Sequence, residues 1–83
     1  MTALSKIYDA FFSKITDDMY MELSQEETYN MTYELFEAAL PSFEFPRFDV
    51  YSYSIELEEY PIDLAIEEIN IIAIYMVVEW INR

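Results

Sequence analysis

The feature that most constrains this chain is the stretch from Asp63 to Arg83, which reads DLAIEEINIIAIYMVVEWINR. We interpret Asp63 as the N-cap of a helix, with two glutamates in its first turns. Read at 3.6 residues per turn, the remaining pattern places apolar side chains on nearly every side of that helix. Such a helix is normally buried within a larger body, and a small domain has too little surface to cover it. We therefore expect a neighbouring molecule to cover part of it.

Two apolar stripes can be traced along this helix, each spaced by three or four residues. We expect one stripe to close the core of the chain and the other to meet a neighbour. No glycine or proline follows Trp80 to stop the helix, so we expect either a natural chain that continues past Arg83 or an ordering boundary there. The first stripe is Ile66, Ile69, Ala73, Met76 and Trp80, and the second is Ile71, Ile74, Val78 and Ile81.

Three absent residue types exclude several classes of site. With 83 residues the chain forms one domain at most, and it contains no cysteine, histidine or glycine. Disulfides and thiolate metal sites are therefore excluded, and so is the commonest general base. Phosphate-binding loops and Asn-Gly hairpins cannot be built in their usual glycine-containing form. The composition favours helices that are joined by loops marked with proline, serine and aspartate.

The charge balance is strongly acidic, with 17 Asp and Glu against 4 Lys and Arg, for a net charge of −13. Such a chain repels nucleic acid and anionic membranes and is attracted to basic surfaces. Hydrophobic residues make up 54% of the sequence, which argues against disorder. The apolar run Ile71 to Val78 is far shorter than the roughly 20 residues that span a bilayer. We expect a soluble intracellular protein, or part of a particle assembled inside the cell.

Helical periodicity predicts a small three-helix domain over residues 1–83, with helices at about 3–15, 24–40 and 63–82. Thr2 or Ser5 could cap the first helix. Ser24 and Glu27 form a capping-box pattern at the start of the second, and Pro41 should end it near Leu40. The core face of the first helix is Leu4, Ile7, Tyr8, Phe11, Phe12 and Ile15.

Residues 41–62 are rich in aromatic side chains and have no helical pattern. Pro46 and Pro61 make a regular central strand a poor interpretation. We predict a long aromatic loop or an extended arm between helices 2 and 3, with an extended piece near Val50 to Leu57. The predicted fold class is therefore mainly α.

A cluster around Arg47 in this loop has two readings. Arg47 lies among Phe43, Phe45 and Phe48, and it can belong to a core plug in which it pairs with Glu44 or Asp49. Alternatively the cluster anchors a neighbouring subunit, because aromatic residues and arginine are enriched at binding hot spots. The full set of candidate interface residues is Phe43, Phe45, Arg47, Phe48, Tyr51, Tyr53, Ile74, Val78, Trp80 and Ile81.

Adjacent carboxylates are the only other candidate for chemistry. They occur at Asp17-Asp18, Glu26-Glu27, Glu58-Glu59 and Glu67-Glu68. Neighbouring side chains on a helix diverge, and two of these pairs sit at helix starts, where acids are favoured anyway. We therefore expect no catalytic residues, no metal site and no cofactor, and hence a protein that is not an enzyme.

Three stretches together resemble the N-terminal part of small neck proteins, the head–tail connector (adaptor) proteins of tailed bacteriophages that infect Gram-positive hosts. They are LSKIYDAFFSKITDDMY at 4–20, FEFPRF at 43–48 and DLAIEEINIIAIYMVVEW at 63–80. Members of that family continue past the Glu-Trp pair with a further basic helical segment, whereas this sequence stops at Arg83.

The resemblance implies a non-enzymatic, mainly helical virion structural protein. Its subunits would form a homo-oligomeric ring that connects the portal and capsid to the tail, assembled in the host cytoplasm and located at the head–tail junction of the virion. Its partners would be itself and neighbouring portal, neck or tail proteins. No membrane and no sequence-specific nucleic-acid binding is implied, although DNA passes nearby.

An interpretation from a different class is an acidic DNA mimic that inhibits a host nuclease or another DNA-binding protein. A mimic needs carboxylates at phosphate spacing along one face, about 3.4 Å per charge on each strand. In this chain the acids are scattered over all segments and are few in the third helix.

Overall fold

The computed structural model describes residues 1–15, 24–43 and 48–82, and they are mainly helical. Within those residues there are three α-helices, which confirms the predicted mainly α class. The order of elements is strand β1 (Thr2–Ala3), helix α1 (Leu4–Phe12), helix α2 (Gln25–Ala39), a 3₁₀ turn (Leu40–Ser42), strand β2 (Glu59–Tyr60) and helix α3 (Ile66–Ile81).

Helix α1 forms where the sequence places apolar residues three and four apart, and it buries Leu4, Ile7, Tyr8 and Phe11. The expected cap by Thr2 or Ser5 is wrong, because the N-cap is Ala3 and no side chain caps the helix. The Thr2 hydroxyl is instead used in the segment before α3. It donates to the Ile62 carbonyl at 3.1 Å and accepts from the Leu64 amide at 2.8 Å.

Helix α2 begins with the predicted capping box, which the structure confirms. The Glu27 amide donates to the Ser24 hydroxyl at 3.1 Å, and the Ser24 amide donates to the Glu27 carboxylate at 3.4 Å. Both contacts satisfy amide donors that the first helical turn leaves without partners. The α-helix ends at Ala39, one residue before Leu40, and the 3₁₀ turn that follows contains Pro41.

Helix α3 begins at Ile66, three residues later than predicted, so the assignment of Asp63 as its N-cap is wrong. The N-cap is Ala65, whose amide donates to the Glu68 carboxylate at 2.8 Å. Asp63 instead accepts a hydrogen bond from the N-terminal ammonium group of Met1. That bond and the positive charge lower the pKa of Asp63.

The segment before α3 is not the extended piece predicted for Val50 to Leu57. The Ser52 amide donates to the Asp49 carbonyl at 3.1 Å, so the chain turns there. Ser54 then pairs with Glu59 across a tight turn, and β2 continues as the antiparallel partner of β1, with Thr2 opposite Tyr60. Glu58 closes this turn at φ 53°, a left-handed conformation that costs a residue other than glycine about 1 kcal/mol.

The core lies where α1 and α2 both pack against α3. Its largest fully buried side chains include Phe11 of α1, Phe36 of α2, Tyr60 of β2, and Ile72 and Met76 of α3. The principal-axis extents of the fold are 35 × 25 × 19 Å. Both other helices pack against α3. The faces of α3 that they do not cover remain outside the core.

Candidate interaction surface on helix α3

The inner face of α3 packs on the core. Ala73 and Met76, from the first predicted stripe, are fully buried, and Ile72 beside them is buried as well. Ile69 and Trp80 are half-buried against the same cluster. The Trp80 ring meets the Phe11 ring of α1 edge-on, with centroids 6.4 Å apart. Most of the first stripe thus closes the core of the chain.

Ile66 is the exception in that stripe, with 74% of its surface exposed. It is the first residue of α3, and the core side chains of the helix begin one turn later, at Ile69. A stripe that is continuous in sequence can therefore leave its first member outside the core.

The outer face of α3 carries the whole second stripe, which we call the outer strip. Its residues Ile71, Ile74, Val78 and Ile81 are 40%, 50%, 46% and 72% exposed. They follow one another at intervals of three, four and three residues, which is the spacing of a and d positions in a helix–helix seam. Each is a β-branched aliphatic residue with few rotamers to lose when it becomes ordered. The outer strip therefore has the geometry and side chains of a helix-packing surface.

Most positions that border the outer strip hold uncharged side chains. In the same seven-residue register, the flanking positions hold Asn70 and Val77 on one side and Tyr75 and Asn82 on the other. In a chain of net charge −13, most approaches between two copies would place carboxylates opposite each other. In the first turn Glu67 continues the line of the strip, and Glu68, seven residues before Tyr75, lies on its border. An acidic neighbour could therefore pack against the outer strip with little electrostatic repulsion.

The loop candidates are distributed differently. Phe43, Phe48 and Tyr53 are half-buried and pack against the chain's own core. Their rings contact those of other elements, with centroid distances of 6.4 Å from Phe43 to Tyr75, 5.3 Å from Phe48 to Tyr60 and 5.1 Å from Tyr53 to Phe36. Tyr51, in contrast, is 59% exposed. Phe45 and Arg47 lie outside the described residues, and with them the predicted pairing of Arg47 with Glu44 or Asp49.

The structure therefore brings together only part of the predicted set. Ile74, Val78 and Ile81 share the outer strip, and Ile71 joins them although it was not among the ten candidates. Trp80 belongs to the half-buried inner side. The sequence indicated this position. Trp80 lies seven residues after Ala73 and four residues after Met76, which places the three side chains on one side of the helix.

A groove on α2 was missed by the sequence reasoning. Its walls include Tyr29, Tyr33 and Glu37, which repeat at four-residue intervals and therefore share one face of the helix. That spacing is visible in the sequence. Tyr29 is in fact 40% exposed.

Two further kinds of site are absent from the part of the chain that the structure describes. No group of three or more acidic residues there is arranged to hold a metal ion. Among the same residues, no helix is long and apolar enough to cross a membrane.

Comparison with known proteins adds no relative: no protein-family model, no curated protein and no solved structure matches this chain. The similarity to phage neck proteins therefore stays a hypothesis.

Proposed function

We propose that this chain is a non-enzymatic structural subunit that assembles through the outer strip of α3. In the specific form of this proposal, it is a subunit of a phage neck ring that connects the portal and capsid to the tail at the head–tail junction. The single observation that carries the proposal is the exposure of Ile71, Ile74, Val78 and Ile81 along one uncharged line of a helix.

The size of the outer strip supports an assembly role. Four half-exposed aliphatic side chains present roughly a few hundred Å² of apolar surface, a patch that often marks an interaction site on a monomer. An interface built on the strip alone would be at the small end of specific protein contacts, which bury about 800 Å² per partner. A ring suits a small contact, because every subunit makes it with two neighbours and closure adds to the stability of the whole.

A ring also needs a second, different surface on each subunit, since its contacts join unlike patches. Exposed apolar side chains outside α3 offer one in the loop between α2 and α3, where Tyr51 is 59% and Leu57 is 66% exposed. In this proposal the outer strip of one subunit packs against that loop of the next.

The acidic charge fits a ring around a DNA passage. A wall of carboxylates repels phosphate, so the passing genome is not trapped by contact with the protein. This part of the proposal requires the acidic residues to face the channel, and a structure of the assembly with the acids on its outer rim would refute it.

Electron microscopy of the purified protein, combined with one matched pair of variants, tests the proposal. We expect closed rings from the wild type and none from Ile74→Glu, which puts a charge in the middle of the outer strip. Ser5→Glu adds the same charge at an exposed position of α1, and rings should persist. Rings that survive Ile74→Glu as well as Ser5→Glu would refute the assignment of the outer strip.

The same preparation distinguishes the DNA-mimic alternative. A mimic should remain small and bind a DNA-binding protein with an affinity that falls steeply as salt rises. Assembly through an uncharged apolar strip should depend little on salt. A salt-sensitive complex of a single copy with such a protein, without rings, would replace the proposed function by the alternative.

A further inference from the structure

The outer strip has the same spacing when it is read in either direction along α3. Ile71 and Ile81 lie five residues on either side of Met76, and Ile74 and Val78 lie two residues on either side of it. Two copies of α3 packed antiparallel about this centre would bring Ile71 of one copy against Ile81 of the other, and Ile74 against Val78. The strip is therefore complementary to a reversed copy of itself.

The acids of α3 distinguish the antiparallel direction from the parallel one. Glu67 and Glu68 both lie in the first turn, at the end where the strip begins, whereas Glu79 follows Val78 by one residue and lies outside the seam positions. In a parallel pair the four glutamates of the two first turns would meet at one end. In an antiparallel pair each Glu67 is nine residues from the centre, so the two lie about 27 Å apart at 1.5 Å per residue.

That separation removes most of the repulsion between the two first turns. The Debye length in physiological salt is about 8 Å, so exposed charges about 27 Å apart are largely screened from each other. Glutamates that meet at one end of a parallel pair would lie within that length and would repel. In a chain of net charge −13, the antiparallel direction is the one in which two copies can bring their outer strips together at low electrostatic cost.

The contact that two strips make is small. The outer strip runs about 15 Å along the helix from Ile71 to Ile81, at 1.5 Å per residue. A specific interface of standard size buries about 800 Å² per partner, which is more than such a strip offers. A pair built on the strip alone therefore forms at high protein concentration and dissociates readily, so it can exchange for another contact.

We propose that free subunits pair through their outer strips as an antiparallel dimer, and that this pairing competes with the ring contact. The inference rests on the proposed function, because both contacts use the same strip. The partner is a second copy of this chain, related by a two-fold axis at the centre of the strip. A paired subunit has no strip left for the loop of a ring neighbour.

The two contacts differ in how far they let an assembly grow. A two-fold contact joins the same patch on both subunits and closes at two copies. A contact between the strip and the loop joins unlike patches, so it can continue into open chains unless the ring closes. Antiparallel pairing would thus cover the apolar strip and hold free subunits back from open growth.

Single cysteine variants test the direction of pairing without background, because the chain contains no cysteine. Ile71→Cys and Ile81→Cys are mixed and oxidised, and the disulfide-linked peptides are identified by mass spectrometry. We expect links between positions 71 and 81 to exceed links between like positions at least about tenfold, because like positions lie about 15 Å apart along the pair and a disulfide needs Cα atoms within about 7 Å. Ser5→Cys, at an exposed position of α1, measures linking by chance collision.

Links between like positions would show a parallel pair and overturn the proposal. Links no more frequent than those of Ser5→Cys would show that the strips do not meet, which overturns it as well. These failures are distinct from a failure of the proposed function. Rings without strip-to-strip links would leave the proposed function standing, whereas links without rings would refute the ring and keep the pair.

The linked dimer tests the competition between the two contacts. Under the electron microscope the oxidised dimer should form no rings, and reduction of the same sample should restore them. Rings from the oxidised dimer at the level of the reduced sample would show that pairing leaves the ring contact free, and would overturn the competition.

A pair of double variants tests the charge argument by sedimentation equilibrium. Glu67→Gln with Glu68→Gln removes the two acids at the end of the strip, and glutamine keeps the capping-box pattern. Glu26→Gln with Glu27→Gln removes the same charges from the first turn of α2 and measures the effect of net charge. We expect the dimer dissociation constants of the two double variants to agree within about twofold, because the strip ends are screened from each other. Pairing tightened about fivefold or more in the α3 variant alone would indicate a parallel pair and overturn the proposal.

Discussion

Helices α1 and α3 both carry an apolar face against the same core, but only α1 is polar on its other side. In α1 the buried residues are Leu4, Ile7, Tyr8 and Phe11, whereas Ser5, Lys6 and Asp9 are exposed. In α3 the buried Ile72, Ala73 and Met76 are opposed by the exposed outer strip. Folding of the single chain thus accounts for the apolar residues of α1 but leaves about half of those in α3 without a role.

Monomer stability and association with a neighbour therefore depend on different side chains. A side chain that is buried in the monomer contributes to the free energy of unfolding, and its surface is lost to any partner. A side chain of the outer strip contributes little to monomer stability, and its surface is available to a neighbour. The comparison therefore predicts two groups of substitutions with opposite effects on folding and assembly.

The largest loss of stability is expected from Phe11→Ala in α1. Phe11 is fully buried and contacts both Phe12 and Trp80 through its ring, so truncation should lower the free energy of unfolding by about 3–5 kcal/mol. Chemical denaturation measures the change. Phe12→Ala removes the same atoms from the neighbouring half-buried side chain and should lower the free energy of unfolding clearly less. Equal losses in the two variants would contradict the assignment of an inner, buried face to α1.

The next prediction compares the two faces of α3 with one chemical change. Ile72→Ala, at 1% exposure, should lower the free energy of unfolding by about 2–5 kcal/mol. Ile74→Ala, at 50% exposure, should lower it by less than about 1 kcal/mol when the monomer is measured. The difference between the two losses in the free energy of unfolding measures how much more deeply the inner face of α3 is buried than the outer face. A similar cost for both would mean that the outer strip is already covered in the folded chain.

A smaller effect, a gain in stability, is expected at Tyr8 on the inner face of α1. Its hydroxyl is buried and has no hydrogen-bond partner among the described residues. Tyr8→Phe removes that group and should leave the free energy of unfolding unchanged or raise it by about 1 kcal/mol. Tyr60→Phe is the matched control, because the Tyr60 hydroxyl donates to the Val50 carbonyl at 2.7 Å. Its loss should cost about 1 kcal/mol. A destabilised Tyr8→Phe would indicate that this hydroxyl is bonded in solution.

The smallest expected effect is alkaline sensitivity of the fold. The hydrogen bond from Tyr29 to Glu58, with a smaller contribution from burial, raises the pKa of Tyr29 from 10.0 to about 12. A raised pKa in the folded state means that its contribution to stability is complete below pH 10 and is lost as pH rises from 10 to 12. Denaturant midpoints against pH should therefore fall in that window, and less so in Tyr29→Phe.

The residues of the outer strip do not titrate, so assembly should not change between pH 7 and pH 9. Wild-type mass measured across that range checks this expectation. A complex that dissociates within it would place a titrating group in the contact and would contradict an interface made by the strip alone.

Much of this fold could be predicted from local pattern. The capping box at Ser24, the end of α2 beside Pro41 and the two faces of α3 are all determined by residues within a few positions of one another. The start of α3 could not be found this way, because both Asp63 and Ala65 precede acidic residues. The choice depends on the Thr2 hydroxyl and the Met1 ammonium, which reach this segment from the other end of the chain.

The loop between α2 and α3 shows the same limit. Its alternating aromatic residues suggested an extended piece, but Phe48 and Tyr53 fold back onto Tyr60 with ring centroids 5.3 and 5.7 Å apart. Tertiary packing of this kind overrides a period-two pattern. The groove on α2 was missed for a related reason, since its Ile55 wall comes from that loop.

Sedimentation of the wild type and of the double variant Ile74→Glu, Val78→Glu tests the central claim most directly. We predict a wild-type mass well above the 10.0 kDa of one chain, rising with protein concentration. The double variant should sediment as a single chain and keep the denaturant midpoint of the monomer. A wild type that stays at 10.0 kDa at every concentration, or a variant that assembles as well as the wild type, would contradict the claim that the outer strip of α3 is an assembly surface.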